Sequence, residues 1–255
     1  MGMAPRAGTV RGFRAMGAGA KDTMKKIITC LAAAAALAFA AAAPAATLTH
    51  DYELNGSLAD ALGGPDLTAL GGALGANGYT FGADQGLVYS GGFANAGDYS
   101  IAMTFSLNDT SGGYAKIVDF LNQASDNGLY ALGQKLEFYP VNGGAGPAVF
   151  DGQQSVAMVV ARDAASGNFT AWINGAQVFS FNDSGSLAVF GSAGSVANFF
   201  LDDAHTGGRE ASNGYVDSIR IYDGALTSAV PEPGSTALLL AGLGLLGLRA
   251  RRRRG

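Results

Sequence analysis

The sequence predicts an all-β protein whose body is an antiparallel β-sandwich or jelly roll. Residues 46–230 contain 29 glycines and 22 of the chain's 24 aromatic residues, but only three prolines. Dense glycine together with many aromatic residues indicates short strands joined by tight turns, and the aromatic content argues against disorder. The other two observations are a long alternation of apolar and small side chains and an Asn-Gly turn between two apolar runs.

The clearest strand is predicted over residues 99–107. Its odd-numbered positions are aromatic or aliphatic, and its even-numbered positions are Ser, Ala or Thr. A period of two puts one face of this strand in a core and the other toward solvent or a second layer. Asn174 and Gly175 separate two further runs, and because both residue types tolerate positive φ they predict a hairpin with a type I′ turn.

Many other short apolar runs are bounded by turn residues, which favours a sandwich or jelly roll over other β architectures. Leu62-Gly-Gly and Leu70-Gly-Gly are assigned to a loop, as local low complexity. Alternation in the last strand puts Asp217 on the same face as Ile219, as a hydrogen-bonded structural acid. The remaining predicted strands are 48–54, 116–121, 128–132, 135–139, 155–162, 168–173, 177–181, 198–201 and 215–222.

Three segments of the body, in order, resemble laminin G-like domains of the concanavalin A-like jelly-roll class. They are YELNGSLAD at 52–60, SVAMVVARDAASGNFTAWINGAQV at 155–178 and GYVDSIRIYDGAL at 214–226. The resemblance implies one domain over 46–228, with two packed antiparallel sheets and neighbouring termini. It also implies carbohydrate binding as the common activity of the family, with calcium or protein binding in some members.

The N-terminal region is predicted to be a secretory signal peptide over residues 24–45. Met24 and two lysines precede an apolar run over residues 27–43, and Ala43-Pro44-Ala45 puts small residues at both positions that signal peptidase reads. Cleavage is therefore expected after Ala45. A short buried helix is the alternative, but an alanine-rich segment without caps packs poorly. Residues 1–23 show no periodicity and are interpreted as an upstream extension that is not native.

Cysteine use fits export. The chain's single cysteine, Cys30, lies inside the apolar run of the predicted signal peptide. The exported protein would therefore contain no cysteine, which excludes disulfides, cysteine-based metal sites and a cysteine nucleophile.

The C-terminal region predicts a membrane-sorting helix over residues 235–248. This apolar run has 14 residues, fewer than the ~20 that cross a typical bilayer. A buried core helix, the alternative, would leave the arginines after it without partners. Positive charge remains on the cytoplasmic side, so we expect an inner-membrane-anchored intermediate with its C-terminus in the cytoplasm. The membrane stop consists of Arg249, Arg251, Arg252, Arg253 and Arg254.

Residues 229–255 together resemble the PEP-CTERM sorting signal of exopolysaccharide-producing Gram-negative bacteria. Pro231, Glu232 and Pro233 precede the apolar run, and the arginine cluster of residues 249–254 follows it. The resemblance implies that an exosortase, a membrane transpeptidase-like enzyme, recognises these three residues and that the apolar tail is then removed. The final location would be the cell surface or the extracellular space.

The charge distribution disfavours nucleic acid as a partner. The formal charge of −4 divides into +5 for residues 1–45, −13 for residues 46–230 and +4 for residues 231–255. An acidic body repels phosphate backbones.

A loop over residues 202–210 is a weak candidate for calcium binding. Asp202, Asp203 and Glu210 offer the hard oxygen ligands that calcium prefers. The loop lacks EF-hand spacing, and a solvated acidic loop is the favoured alternative, so no cofactor is assigned. His50 and His205 are too far apart in the sequence, and have no partner motif, to support a zinc site.

Aromatic side chains are candidates for stacking on sugar rings. Trp172 is the first, although its place beside Ile173 in a predicted strand indicates a core role at least as well. Tyr114, Tyr130 and Tyr139 are the others.

Catalysis is not expected. Glycoside hydrolases need two carboxylates that flank the scissile bond, and the glutamates of the body, Glu53, Glu137 and Glu210, stand isolated in the sequence. We therefore expect an exported surface or matrix protein with a carbohydrate-binding-type jelly roll, associated with exopolysaccharide or biofilm. The alternative is a ligand-free structural or adhesion protein of the matrix, and a glycoside hydrolase is less favoured.

Overall fold

The computed structural model describes residues 46–229, except 109–112, 142–145, 151, 153, 192–194 and 204. Among these residues there is no helix with the length and apolarity that a bilayer crossing requires. Several predictions lie outside the described residues: the extension 1–23, the signal peptide 24–45 with its cleavage site at Ala45, the PEP motif 231–233, the apolar run 235–248 and the arginine cluster 249–254.

The described chain folds into strands joined by turns. The strands are β1 Thr47–Tyr52, β2 Thr68–Leu70, β3 Ala73–Leu74, β4 Tyr79–Phe81, β5 Gly86–Tyr89, β6 Tyr99–Leu107, β7 Tyr114–Asp119, β8 Gly128–Leu132, β9 Lys135–Tyr139, β10 Val156–Asp163, β11 Asn168–Ile173, β12 Ala176–Asn182, β13 Ala197–Phe199 and β14 Gly214–Asp223.

The strands form two antiparallel sheets, which confirms the predicted sandwich. One sheet has eight strands in the order β12-β11-β10-β6-β14-β4-β3, and β1 also pairs with β14. The start of β14 pairs with β4, with Val216 opposite Tyr79, and its end pairs with β1, with Ile219 opposite Tyr52. The other sheet has six strands in the order β2-β5-β13-β7-β8-β9.

The core between the sheets is largely aromatic. Phe105 of β6 lies 5.4 Å from Phe200, ring centroid to ring centroid. Phe169 of β11 lies 6.0 Å from Phe120 and 5.1 Å from Phe138. All five rings are buried, and burial of each contributes about 1.5–3 kcal/mol relative to an exposed ring. Contacts between the two sheets therefore hold the sandwich closed.

Local sequence signals predicted the central elements accurately. Strand β6 has the predicted bounds, and Ile101 and Phe105 face the core. The turn after Ile173 has φ of 49° at Asn174 and 86° at Gly175, as a type I′ hairpin requires. Ser100, on the opposite face of β6, is also buried, so the outer face of this sheet is covered by further chain.

Two expectations from the sequence were wrong. Leu70 ends β2 instead of lying in a loop, and Gly71 and Gly72 turn the chain with φ of 75° and 67°. A Cβ on Gly72 would lie 2.3 Å from the hydroxyl of Tyr79, which donates a hydrogen bond to the Gly71 carbonyl oxygen. A close approach to a tyrosine therefore requires glycine at this turn.

The second correction concerns the face of Asp217. Val216 pairs with Phe105, and Ser218 pairs with the preceding residue of β6, so Asp217 occupies a β-bulge. A bulge inserts one unpaired residue and shifts the alternation of side chains after it. Ile219 consequently faces the core, whereas Asp217 remains partly exposed.

Candidate functional site

A polar row crosses the outer face of the six-stranded sheet. Lys116 of β7 pairs with Tyr130 of β8, and Tyr130 pairs with Glu137 of β9. Their neighbours Leu129 and Leu136 belong to the core between the sheets. Because side chains alternate along a strand, the three polar residues lie on the opposite, outer face.

Lys116 is completely buried on this outer face. Its Nζ lies 2.8 Å from Asp203 Oδ2, and both side chains are 0% exposed. The ammonium also lies 4.2 Å from the ring centroid of Tyr130, in a cation–π contact. Burial alone would raise the pKa of Asp203, but the Lys116 ammonium and the backbone N–H of His205 outweigh it and lower that pKa. The pair is therefore charged and hydrogen-bonded out of solvent.

Residues 201–203 and 205–212, here called the cover loop, supply Asp203 to this ion pair. The carboxylate of Asp202 accepts backbone N–H bonds from Asp203 at 2.9 Å and from Glu210 at 3.1 Å, which ties the two ends of the loop together. The backbone N–H of Lys116 donates to the Glu210 carbonyl oxygen at 2.8 Å. Asp202 thus shapes the loop and attaches it to β7 through Glu210.

Three carboxylates converge beside the ion pair. Asp126, Asp203 and Glu210 offer oxygen atoms that all lie within 4.8 Å of one another; we call them the acidic cluster. The structure brings together two of the three residues that the loop sequence suggested. Asp126 takes the third place instead of Asp202, whose oxygens accept hydrogen bonds from the cover loop itself.

The acidic cluster has the chemistry of a calcium site with an incomplete ligand set. Calcium takes six to eight oxygen ligands, and Asp203 Oδ2 already bonds the Lys116 ammonium. Asp203 Oδ1 also accepts a hydrogen bond, from the His205 backbone N–H at 2.8 Å, so it could reach an ion only through its second lone pair. Asp126 and Glu210 are the other protein ligands that could hold the ion. Calcium binding therefore stays a prediction, now with Asp126 among its ligands.

Glu210 is the most perturbed acid of the cluster. Burial, together with the nearby charge of Asp126, raises the pKa of Glu210 to about 7. Its Oε2 atom is buried and accepts no hydrogen bond from any residue that the structure describes. Near neutral pH this side chain can therefore hold or release a proton.

Tyr130 of the polar row has two tyrosine neighbours, Tyr114 and Tyr139. We call the surface formed by these three tyrosines the tyrosine face. Tyr114 lies 5.2 Å from Tyr130 and 5.8 Å from Tyr139, centroid to centroid, with rings nearly perpendicular. Tyr130 is buried, whereas Tyr114 and Tyr139 are partly exposed. The hydroxyl of Tyr114 donates to Glu137 Oε1 at 3.3 Å. Glu137 is only 4% exposed, so the accessible part of the tyrosine face consists of Tyr114 and Tyr139.

An open cleft of about 390 Å³ is lined in part by the cover loop. Its lining includes Asp84, Gln123, Asp202 and Asp203. None of the three tyrosines lines it. Asp203 alone connects this cleft with the acidic cluster.

Trp172 lies on the other sheet, away from the tyrosine face. It packs with Val159 and Ala161 on the outer face of the eight-stranded sheet and is 8% exposed. Ala225, Leu226 and Ala229 pack against this cluster. Trp172 is therefore outside the core between the sheets, and as a stacking platform it would be available only without this covering segment.

His50 takes part in a separate hydrogen-bonded group. Its Nδ1 lies 2.7 Å from Asp60 Oδ2 and its Nε2 lies 2.9 Å from the Tyr89 hydroxyl. Asp60 also accepts backbone N–H bonds from Asp51 and Leu62, each at 2.9 Å. Burial would raise the pKa of Asp60, but these bonds outweigh it and lower that pKa. The group organises the loop after β1.

Sequence comparison identifies the C-terminal region. The PEP-CTERM protein-sorting motif matches residues 229–254. No curated protein matches the chain in sequence. The motif implies an exosortase-sorted, exported protein that is first membrane-anchored and then processed.

Solved structures with a similar fold have low sequence identity to this chain. Domain 4 of AbnA, a GH43 extracellular arabinanase from Geobacillus stearothermophilus, in complex with arabinotriose, is 18% identical with a TM-score of 0.51, covering 72% of this chain and 96% of that domain. Trypanosoma rangeli sialidase in complex with 2,3-difluoro-KDN is 17% identical with a TM-score of 0.52, covering 74% of this chain and 32% of the sialidase. At these identities the likeness shows the fold alone, a β-sandwich of jelly-roll type.

Proposed function

We propose that this protein is an exported carbohydrate-binding module, sorted by an exosortase, that associates with exopolysaccharide through its tyrosine face. The observation that carries the proposal is the convergence of Tyr114, Tyr130 and Tyr139 with the Glu137 carboxylate on one outer sheet face. Association with the producing cell's own matrix is a further step of the proposal, and it is based on the sorting motif at residues 229–254.

The chemistry of the tyrosine face suits a sugar. The negative face of an aromatic ring attracts the polarised CH groups of a pyranose, and Tyr114 and Tyr139 keep part of their rings accessible. The Glu137 carboxylate is buried and accepts a hydrogen bond from the Tyr114 hydroxyl, so its role in this proposal is to hold the Tyr114 ring in place. Because sheet strands carry these groups, they are ordered before the ligand arrives, which lowers the entropic cost of binding.

The negative charge of the surface limits which glycans are expected to bind. The body carries a formal charge of −13, and the acidic cluster adjoins Tyr130 through Asp126, whose side chain lies 3.2 Å from the tyrosine hydroxyl. Like charges repel at close range. We therefore expect neutral or amino-sugar polysaccharides to bind more tightly than uronic acid polymers.

The fold neighbours add support of a limited kind. The arabinanase domain was solved in complex with arabinotriose, so a domain of this architecture accommodates an oligosaccharide. Its identity of 18% does not transfer the site. The proposal therefore depends on the tyrosine face and is tested there.

The test is a glycan array with the exported body, followed by pull-down from native matrix with calcium and with a chelator. Tyr139→Ala and Tyr114→Ala should each weaken binding about tenfold, the equivalent of ~1.4 kcal/mol for one stacking contact. Tyr215→Ala is the matched control, because Tyr215 is a partly exposed tyrosine of β14 in the other sheet. Uniform absence of binding would reject the proposal and favour a ligand-free structural or adhesion protein, whose deletion changes biofilm architecture without saturable sugar binding.

A separate variant tests whether sugar binding depends on calcium. Asp126→Asn removes one carboxylate of the acidic cluster and leaves the Lys116–Asp203 ion pair in place. If calcium supports sugar binding, Asp126→Asn should bind as weakly as the wild-type protein does in chelator. Equal binding of the wild-type protein with calcium and with chelator would remove calcium from the proposal.

Glycoside hydrolysis is a second candidate, favoured by one observation. Glu210, with its pKa raised to about 7, lies beside Asp126 and could serve as a general acid opposite an ionised carboxylate. Incubation with matrix polysaccharide should then release reducing ends, and Glu210→Gln should abolish the release. Product formation that persists in Glu210→Gln would exclude this arrangement.

A further inference from the structure

The end of the body forms a strap over the eight-stranded sheet. Residues 224–229, here called the strap, place Ala225, Leu226 and Ala229 against an apolar patch on the outer face of that sheet. One rung of the patch crosses three neighbouring strands, because its residues pair in register. The patch consists of Ala102 on β6, Val159 and Ala161 on β10 and Trp172 on β11.

A buried serine fastens the start of the strap. Ser100 Oγ donates a hydrogen bond to the Gly224 carbonyl oxygen at 2.9 Å and accepts one from the Leu226 backbone N–H at 2.7 Å. Ser100 is 0% exposed. A polar side chain on the outer face of a central strand is thus satisfied by the strap.

The strap makes few buried apolar contacts compared with the strands, although the Gly224 N–H also donates to the Asp98 carbonyl oxygen at 3.2 Å. Leu226 is its only large apolar side chain and stays partly exposed, and Thr227 is exposed. Segments with few buried apolar contacts open locally at a small fraction of the cost of global unfolding. Opening of the strap would uncover the patch without disturbing the core between the two sheets.

The strap leads directly into the sorting motif. Pro231, the first of the three residues that the motif provides for recognition, follows Ala229 by two positions. Two residues of extended chain reach at most about 7 Å. A seated strap therefore keeps the start of the motif close to the folded body, where a processing enzyme has little room to bind an extended segment.

We propose that the strap is a latch on the sorting motif, and that processing requires residues 225–229 to leave the Trp172 patch. The rate of processing is then proportional to the fraction of molecules with an open strap. This inference rests on the sorting motif and not on sugar binding, so its test is independent of the tyrosine face.

The strap position has an internal reporter. Trp172 is the chain's only tryptophan, and it belongs to the patch against which the strap packs. In the full-length chain, Leu226→Ser and Ser100→Ala should increase acrylamide quenching of its fluorescence and shift the emission to longer wavelength. Leu62→Ser makes the same leucine change at a residue that is 53% exposed, and it should leave the spectrum unchanged.

Processing is measured in the exporting cell by pulse-chase conversion of the membrane-anchored form to the processed form. Leu226→Ser and Ser100→Ala should speed conversion about threefold or more, in step with the larger open fraction. Leu62→Ser should convert at the wild-type rate. Ser100→Ala keeps the test valid if Leu226→Ser lowers the yield of folded protein, because it removes only one hydroxyl.

Two results would overturn the latch. In the first, tryptophan quenching increases in both strap variants while conversion keeps its wild-type rate. In the second, Leu62→Ser accelerates conversion as much as the strap variants do, which would make processing a response to general destabilisation. Faster conversion confined to the strap variants supports the latch, whatever the glycan array shows.

Discussion

The two outer faces of the sandwich are covered by opposite kinds of contact. On the six-stranded sheet the cover loop is held by a buried ion pair, Lys116 with Asp203. On the eight-stranded sheet the strap is held by apolar contacts with the Trp172 patch and by neutral hydrogen bonds to Ser100 and to the Asp98 carbonyl oxygen. Opening the cover loop would leave buried charge without its partner, whereas opening the strap exposes a modest apolar area and breaks neutral hydrogen bonds that water can replace. The polar cover therefore suits a permanent site and the apolar cover a reversible one.

The largest effect is expected from Lys116→Met. This change leaves the Asp203 carboxylate buried without its ammonium partner, which should lower the free energy of unfolding by about 3–5 kcal/mol. Urea denaturation at pH 7 measures it. Lys135→Met, at an exposed lysine of β9, should change stability by less than about 0.5 kcal/mol.

A double variant sharpens this result. Adding Asp203→Asn to Lys116→Met removes the unpaired buried charge, so part of the lost stability should return. If Lys116→Met alone were nearly neutral, the cover loop would not depend on the ion pair, and the contrast between the two covers would fail.

The next effect in size is expected from Trp172→Ala. Removing a large buried side chain from the interior costs about 3–5 kcal/mol, and a site under a thin strap should cost less, about 2–3 kcal/mol. Thermal or urea unfolding gives the number, and Trp172→Phe should lose only about 1 kcal/mol. A loss for Trp172→Ala equal to that of Lys116→Met would indicate that the apolar cover is as permanent as the polar one.

A smaller, pH-dependent effect is expected at Glu210. The pKa of Glu210 is raised from 4.5 to about 7 in the folded protein. Between these two pH values the folded state therefore holds more protons than the unfolded state. This contribution lowers stability as pH rises from about 4.5 to 7. Glu210→Gln should therefore gain about 1 kcal/mol over wild type at pH 8 and less at pH 5, after allowance for solvent screening of a partly exposed group.

Asp126→Asn tests the cause of the Glu210 shift. The Asp126 charge is the largest influence on the Glu210 pKa after burial, so its removal should move the upper end of the pH window below 7. Denaturation curves between pH 4 and pH 8 measure the window. An unchanged window would attribute the shift to burial alone.

The smallest effect is expected from Tyr114→Phe. It removes one hydroxyl that donates to Glu137 at the partly exposed rim of the tyrosine face, which should cost less than about 0.5 kcal/mol. Urea denaturation at pH 7 should separate it clearly from Lys116→Met in the same sheet. A loss of more than about 1 kcal/mol in the free energy of unfolding would show that the rim of the tyrosine face is held as firmly as the cover loop.

Local patterns predicted most of the sandwich. The alternation over residues 99–107 and the Asn174-Gly175 turn act within a few residues, so their physical cause is visible in the sequence. The strands from β2 to β5 were missed because they have only two to four residues, too few to show a period. Their pairing is decided by partners such as β13 and β14, far along the chain.

The candidate sites were predicted in part, for a physical reason. Adjacent Asp202 and Asp203 look like a ligand pair, but in this loop one carboxylate binds backbone N–H groups and the other meets Lys116, 87 residues away. Asp126 had no local signal that linked it to Glu210. The strap over Trp172 could not be inferred either, because only the fold shows which sheet face lacks a cover.

The first and last residues of the sandwich lie next to each other at one corner of the eight-stranded sheet. Thr47 pairs with Asp223, and a Cβ on Gly224 would lie 3.4 Å from the Cα of Ala46. Tension applied at both of these ends would separate β1 from β14 one rung at a time, because it pulls on the same end of an antiparallel pair. Tension on β14 alone acts on a strand with neighbours on both sides, so many rungs must break together. The direction in which the chain is pulled therefore decides how firmly this corner of the sheet holds.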